Sequence, residues 1–299
     1  MRKILAAVLC ALASAPAGAA ETAQFLRILP GARPMAMGQA FTAVADDLNA
    51  LTTNPSGLLR AGSRQAGIMH AELYSGARYD FVGYSQPAGQ DAAFGFGVQR
   101  LAQAGIEGRD ASGATTGSFG ASDTAVSLAG SARLPGSALL AGVGVKYVDS
   151  RLADASARTV AFDGGLLRPF TAAGLPMTVG AAVRNMGPGL RFGGEREHLP
   201  LTVSFGASAR FAGAVLLAVE AYNRPYGEST GFSVGTEYAV LPTFSMRAGY
   251  TGTSAMGTSA ASGLGFGFGF KVRAFTIDYG FTPAGELGSA QRLALAARF

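Results

Sequence analysis

The sequence predicts an all-β protein: a 14-stranded antiparallel transmembrane β-barrel with a short N-terminal helical hatch, or plug. Three observations point there. First, the chain alternates in twos. From Gly263 to Val272, Leu264, Phe266, Phe268, Phe270 and Val272 share one face, and Gly263, Gly265, Gly267, Gly269 and Lys271 share the other. Successive side chains on a strand point to opposite faces, so one face is apolar and the other small or charged. Phe275, Ile277, Tyr279 and Phe281 repeat the pattern, as do Leu293, Leu295, Ala297 and Phe299. Second, short and long connections alternate along the chain, as in a barrel with tight turns at one rim and longer loops at the other. Third, the composition is rich in glycine (43) and low in charge (14%), with no tryptophan. Its hydrophobicity is spread through alternation, and beyond the first twenty residues no apolar run reaches the length of a membrane helix.

Residues 1–20 read as a secretory signal peptide. Arg2 and Lys3 give the positive start, Ile4 to Leu12 the apolar core, and Ala17-Gly18-Ala19 or Gly18-Ala19-Ala20 the small-residue cleavage site. Cys10 falls inside this leader, and Leu9 before it is too bulky for lipoprotein processing. Cleavage would leave a chain without cysteine, with 22 basic residues against 19 acidic. That weak charge has no clustering suited to nucleic acid, so no nucleic-acid partner is expected.

Residues 21–64 do not alternate in twos. Met37, Phe41, Val44, Leu48 and Leu51 recur at helical spacing, with Asp46, Asp47 and Asn49 on other faces. Asn54-Pro55 and Ser56-Gly57 then signal a turn before Leu58 and Leu59. A short amphipathic helix plus turn suits a plug. The candidate ligand-binding lining is Met35, Met37, Phe41 and Leu48.

Residues 65–299 form the barrel. Its expected strands are Gln65–Tyr74, Arg78–Gln86, Ala92–Gln103, Asp123–Leu134, Ala138–Asp149, Ala157–Phe170, Pro176–Arg184, Pro200–Phe211, Ala214–Asn223, Gly231–Val240, Thr243–Thr251, Gly263–Val272, Ala274–Phe281 and Ser289–Phe299. Pro135-Gly136, Thr171–Gly174, Ala212-Gly213, Leu241-Pro242 and Arg273 are expected as tight turns. Ala104–Ser122, Ser150–Ser156, Asn185–Leu199, Arg224–Thr230, Gly252–Ser262 and Thr282–Gly288 are expected as longer external loops. Thr202, Ser204, Gly206, Ser208 and Arg210 take the inner face of their strand, and Lys146, Glu220 and Arg247 do likewise, since a charge on the lipid face would cost about 2–4 kcal/mol near the midplane. Fourteen strands enclose more space than wall side chains fill, which gives the hatch its place.

Within the hatch, Gly31-Ala32-Arg33, Met37-Gly38-Gln39-Ala40-Phe41-Thr42-Ala43, Ala45-Asp46-Asp47 and Asn54-Pro55-Ser56-Gly57-Leu58 resemble the N-terminal signature of the PorV/PorQ family. That family belongs with the FadL-like outer-membrane barrels, which have fourteen strands and an N-terminal hatch. The resemblance covers about thirty residues. The chain departs from it at Gln39, where a second glycine is common, and at Thr52-Thr53, where a Tyr-Trp pair is common. The resemblance implies a non-enzymatic outer-membrane protein of a Gram-negative-type bacterium. Its role would be accessory to type IX-like protein secretion, receiving or shuttling exported proteins, or else passive transport of hydrophobic small molecules.

Other chemistry has little support. His70 and His198 are the two histidines; Ser204 is near His198 in sequence, but nothing specifies a triad. Asp46-Asp47 could hold a hard cation, although a solvated face or a pairing with lumen arginines is the simpler reading. The Gly263–Gly269 series has a spacing of two and no following helix, so it is a cleared lumen wall rather than a nucleotide loop. No catalytic, cofactor or metal site is expected. The expected partners are outer-membrane lipid, secreted proteins or hydrophobic ligands, and the barrel-assembly machinery, which the C-terminal aromatic Phe299 resembles a signal for.

Overall fold

The computed structural model describes residues 21–299 apart from 74–75, 193, 228, 255–262 and 284–287. The expected leader therefore lies outside the described residues, as does most of the Gly252–Ser262 connection and of the Thr282–Gly288 connection. The strands are β1 (Gln65–Glu72), β2 (Arg78–Pro87), β3 (Ala92–Arg109), β4 (Thr115–Arg133), β5 (Leu140–Leu152), β6 (Ala155–Ala172) and β7 (Leu175–Met186). They continue as β8 (Leu190–Phe192), β9 (Glu195–Glu197), β10 (Thr202–Phe211), β11 (Val215–Arg224), β12 (Ser229–Leu241), β13 (Phe244–Thr253), β14 (Leu264–Val272), β15 (Phe275–Pro283) and β16 (Ser289–Arg298). All except β8 and β9 join one closed antiparallel barrel of fourteen strands, in which β16 pairs with β1 to seal the sheet. β8 and β9 form a separate hairpin within the Asn185–Leu199 connection.

The alternation becomes an inside and an outside. Phe266, Phe268 and Phe270 are 44%, 40% and 43% exposed on the outer wall, while Gly265, Gly267 and Gly269 face the lumen among hatch and inner-wall atoms. In water such an aromatic surface would be costly; against lipid it is the favourable arrangement. Lys146, Glu220 and Arg247 are buried in the interior. Lys146 Nζ lies 2.7 Å from Asp163 Oδ2 and donates to Asn185 Oδ1 at 2.8 Å, so its charge is met on the lumen side.

The rims differ from expectation in two places. Ala104–Ser122 is not a loop: β3 and β4 run on as a long hairpin that turns at Asp110–Gly113. Asp110 Oδ1 accepts from Ser112 N, Ser112 Oγ and Ala114 N and so fixes the turn. Gly, Ala, Ser and Thr there lack an apolar face, but ladder hydrogen bonds need none once the strands are aligned above the membrane. Ser150–Ser156 is likewise a tight turn through Ala153 and Asp154, with β5 and β6 paired up to Leu152 and Ala155. The rim with 88–91, 134–139, 173–174, 212–214, 242–243 and 273–274 carries the short turns and is the periplasmic one by the usual asymmetry.

Residues 21–64 fill the lumen. They contain 3-10 turns at Gln24–Arg27 and Pro55–Ala61 and two short helices, α1 (Ala32–Ala36) and α2 (Ala50–Thr53). The helical spacing from Met37 to Leu51 does not produce a helix across that range: Gly38 and Gln39 take positive φ values of 59° and 67°, and the chain runs through turns to Asn49. All five apolar residues of that series are nevertheless buried. Met37, Phe41 and Val44 pack in one cluster with Leu216 and Ala218, and Leu48 and Leu51 in another, so the series is buried on two sides rather than along one stripe.

Candidate functional site

The hatch sits in seats cut by glycine. Gly235, Gly249 and Gly265 are cross-strand partners on the inner wall. A Cβ on Gly235 or Gly249 would strike the Met37 backbone, and one on Gly265 would strike the Met35 carbonyl. Around the barrel, Gly142 and Gly165 form a second pair that takes Ser56 and Asn54, and Gly180 and Gly206 a third that takes Thr42 and Ala43. The glycines therefore clear space for backbone as well as lumen.

Polar contacts then lock the seated backbone. Asn54, fully buried, donates from Nδ2 to Thr42 O at 2.9 Å and to the wall carbonyl of Leu166 at 3.3 Å, while its Oδ1 accepts from Ser56 Oγ at 2.6 Å. Glu220 Oε2 accepts from the Phe41 and Thr42 amides at 3.0 and 2.8 Å. Thr42 Oγ1 and Ser204 Oγ are 2.8 Å apart. On the periplasmic side Arg33 is the hub. It donates from Nε to Glu237 Oε2 at 2.7 Å and from Nη1 to Asp46 Oδ1 at 2.5 Å and Asp47 Oδ2 at 2.8 Å. Arg247 completes the network, donating to Glu237 at 2.7 Å and to Asp278 at 2.6 Å. The Asp46-Asp47 pair thus meets an arginine of the hatch itself. Burial disfavours the Asp46 carboxylate, but the Arg33 guanidinium outweighs this and holds its pKa below the ordinary value.

Two cavities flank this seal. Above it, toward the external rim, about 260 Å³ is lined by Arg27, Arg224 and Arg292 and by apolar residues that include Ile28, Met35 and Leu264. Among the described residues no carboxylate lines it. The Nε atoms of Arg27, Arg224 and Arg292 are buried without a hydrogen-bond partner. Arg27 is ion-paired with Glu21, and burial together with the nearby Arg224 charge still pushes it down to about 10. Below the hatch, about 440 Å³ opens among Arg33, Asp46, Glu237, Arg247, Lys271 and Arg298, with Leu48 on its wall.

The four candidate lining residues divide between these places. Met35 lines the upper cavity and Leu48 the lower. Met37 and Phe41 line neither; they are fully buried in a cluster with Val44, Leu216 and Ala218, and the Arg33 guanidinium lies 5.2 Å from the centre of the Phe41 ring. Ser204 and His198 are not brought together as a catalytic pair: Ser204 is engaged by Thr42, and the His198 ring stacks on Tyr226 at 4.0 Å. His70 faces outward beside Asp80. The arginine cluster of the upper cavity was not anticipated, although the alternation of the last strand already placed Arg292 on the inner face.

No family model matches the chain, and no curated protein does. Among solved structures it is similar to the toluene transporter TbuX of Ralstonia pickettii, at 15% identity over 91% of this chain and 100% of that one, with a TM-score of 0.65. The toluene transporter TodX of Pseudomonas putida gives 14% identity over 89% and 96%, with a TM-score of 0.61. A FadL homologue of Pseudomonas aeruginosa gives 13% over 95% and 98%, with a TM-score of 0.59. At these identities the likeness establishes the fold, that of the FadL-type outer-membrane barrel. It bears on the fourteen-stranded, hatch-filled fold expected from the sequence resemblance and does not extend to its PorV/PorQ part. The structures named are transporters or their homologue rather than enzymes.

Proposed function

We propose that the chain is an outer-membrane channel for passive uptake of hydrophobic small molecules, favouring those with one anionic group. The carrying observation is the upper cavity, apolar around Ile28, Met35 and Leu264 and cationic at Arg27, Arg224 and Arg292. A dry cavity of about 150 Å³ accommodates benzene, so 260 Å³ suits a substituted aromatic ring or a short acyl chain. Arg27 already meets Glu21, and Arg292 donates to Thr282 Oγ1 at 3.0 Å. The Nε atoms of all three arginines are unbonded, and a carboxylate placed there would form charge-assisted hydrogen bonds with them. The transporters of similar fold are described as carrying toluene, which supports the apolar half of this reading. Passage onward requires Met37 and Phe41 to leave their seats, joining the cavity at Met35 to the one at Leu48. A secretion role would instead use the external connections as a docking surface; the PorV/PorQ resemblance of the hatch is what points to it, and the solved structures of similar fold support the uptake reading better.

Calorimetric titration of the detergent-solubilised protein with phenylacetate and with toluene tests the proposal. Phenylacetate is expected to bind more tightly than toluene, and Arg292→Gln to remove most of that difference. Failure of both compounds to bind would reject the uptake reading, and equal binding by wild type and Arg292→Gln would reject the anion preference.

A further inference from the structure

Cross-strand partners on the outer wall show where the apolar band stops. One row across β2 to β6 is Val82, Val98, Val126, Tyr147 and Val160. The next row toward the external rim is Asp80, Arg100, Thr124, Asp149 and Arg158, and the row above that is Arg78, Ala102, Ser122, Arg151 and Ser156. In the upper row the small side chains of Ala102 and Ser122 leave a floor between Arg78 and Arg151, and Arg100 rises to it from beneath. The three arginines border a bay of about 610 Å³ whose remaining lining includes Gly76, Ala104 and Gly120. Among the described residues no carboxylate lines the bay; Glu72, the cross-strand neighbour of Arg78 on β1, lies outside its lining. Arg151 is held by Asp149 at 2.8 Å. Asp80, the direct cross-strand partner of Arg100, is instead paired with His70 at 2.7 Å. Arg78 and Arg100 have no ion-pair partner among the described residues.

Arg100 also lines a second cavity, a groove of about 490 Å³ in the outer wall with Ile68, Val82, Val98, Leu293 and Leu295 along it and the paired His70 and Asp80 beside Arg100. The bay and the groove meet at this residue. With strands about 4.8 Å apart, the backbones of Arg78 and Arg151 stand about 14 Å apart, a span suited to a headgroup with more than one anionic group. Guanidinium forks match phosphate oxygens geometrically, and the apolar groove continues downward into the band that faces lipid tails.

We propose that bay and groove together hold one molecule of the phosphorylated glycolipid of the outer leaflet, lipopolysaccharide. Its phosphates lie on Arg78, Arg100 and Arg151, and one acyl chain lies along Val82, Val98 and Leu293. A free anion would use the bay and leave the groove empty. A neutral lipid would use the groove and leave the arginines unanswered.

The test titrates the full-length mature protein in dodecyl maltoside with bis-phosphorylated lipid A, reading bound lipid by native mass spectrometry. One lipid A per barrel is expected. Dephosphorylated lipid A should bind at least about tenfold more weakly, and millimolar inorganic phosphate should not displace the phosphorylated form. The combined variant Arg78→Gln, Arg100→Gln and Arg151→Gln should weaken binding by about tenfold or more, while Arg168→Gln with Arg273→Gln, at the opposite rim, should leave it unchanged. Ser122→Glu keeps all three arginines and puts a carboxylate on the floor; it should lose binding to a similar extent, so a misfolded triple variant does not leave the matter undecided. Full binding by the triple variant or by Ser122→Glu, equal loss in the opposite-rim variant, or displacement by inorganic phosphate would each overturn the proposal.

Discussion

Arg33 Nε donates to Glu237 Oε2 at 2.7 Å, joining the hatch to β12 on the periplasmic side of the lumen. Glu237 is in turn held by Arg247, and Arg247 by Asp278, so this contact is one end of a chain of alternating charges that runs from β12 to β13 and reaches over β14 to β15. Replacing Arg33 by alanine leaves Glu237, Asp46 and Asp47 without their shared cation. Breaking a buried pair from one side costs about 3–5 kcal/mol. The barrel ladder is untouched, so the cost falls on the hatch. Arg33→Ala should retain heat-modifiable migration on gels, while its N-terminal segment becomes protease-sensitive and single-channel conductance in planar bilayers rises. An unchanged conductance together with an intact hatch would refute the anchoring role.

The glycine seats predict a different way to loosen the same segment. A side chain at Gly249 would occupy the space taken by the Met37 backbone; overpacking of this kind costs about 1–3 kcal/mol. Gly249→Val should therefore release the hatch much as Arg33→Ala does. Gly130→Val adds the same atoms on the lipid-facing side, where the nearest atom to a new Cβ is the Ala93 carbonyl at 3.8 Å, and should behave as wild type in proteolysis. Equal sensitivity of the two variants would show that glycine matters for strand conformation rather than for seating.

The Asp46 contact gives the hatch a defined acid response. Its folded-state pKa lies below the unfolded value because Arg33 outweighs burial. The stabilisation is therefore fully present above the ordinary aspartate value of about 3.9 and is lost as pH falls through the depressed value. Single-channel conductance through the barrel should stay constant down to about pH 4 and increase only below it. Asp46→Asn should show a looser hatch at neutral pH and a smaller change on acidification. A transition centred near neutral pH would point to some other group.

The strand Gly263–Val272 is legible from sequence because each residue answers to one of two solvents, lipid outside or a filled lumen inside, and the period of two follows directly. What Gly249 and Gly265 make room for is not legible, since the Met35–Met37 backbone arrives from more than two hundred residues away. The Met37–Leu51 spacing suggests a helix because burial and helicity usually coincide; in a closed lumen a turning chain is buried on every side, and Gly38 breaks the periodicity at no cost in burial. The β3–β4 hairpin was hidden because above the membrane its ladder carries no alternation of solvent. Arg292 could be placed on the inner face from the pattern of the last strand alone, whereas its convergence with Arg27 and Arg224 depends on barrel closure and on the path of the hatch.

Phe299 separates assembly from stability. Its amide donates to the Arg64 carbonyl at 3.0 Å, next to the β1–β16 seam, while its side chain is 64% exposed on the outer wall. The backbone bond survives substitution, and an aromatic ring that exposed makes few contacts within the chain. Phe299→Ala should therefore refold from urea into detergent with a midpoint close to that of wild type, a surface-type change within about 0.5 kcal/mol. In cells, the assembled fraction should fall several-fold if the C-terminal aromatic is read by the assembly machinery. Equal losses in both settings would assign the ring to barrel stability, and no loss in either would remove Phe299 from both roles.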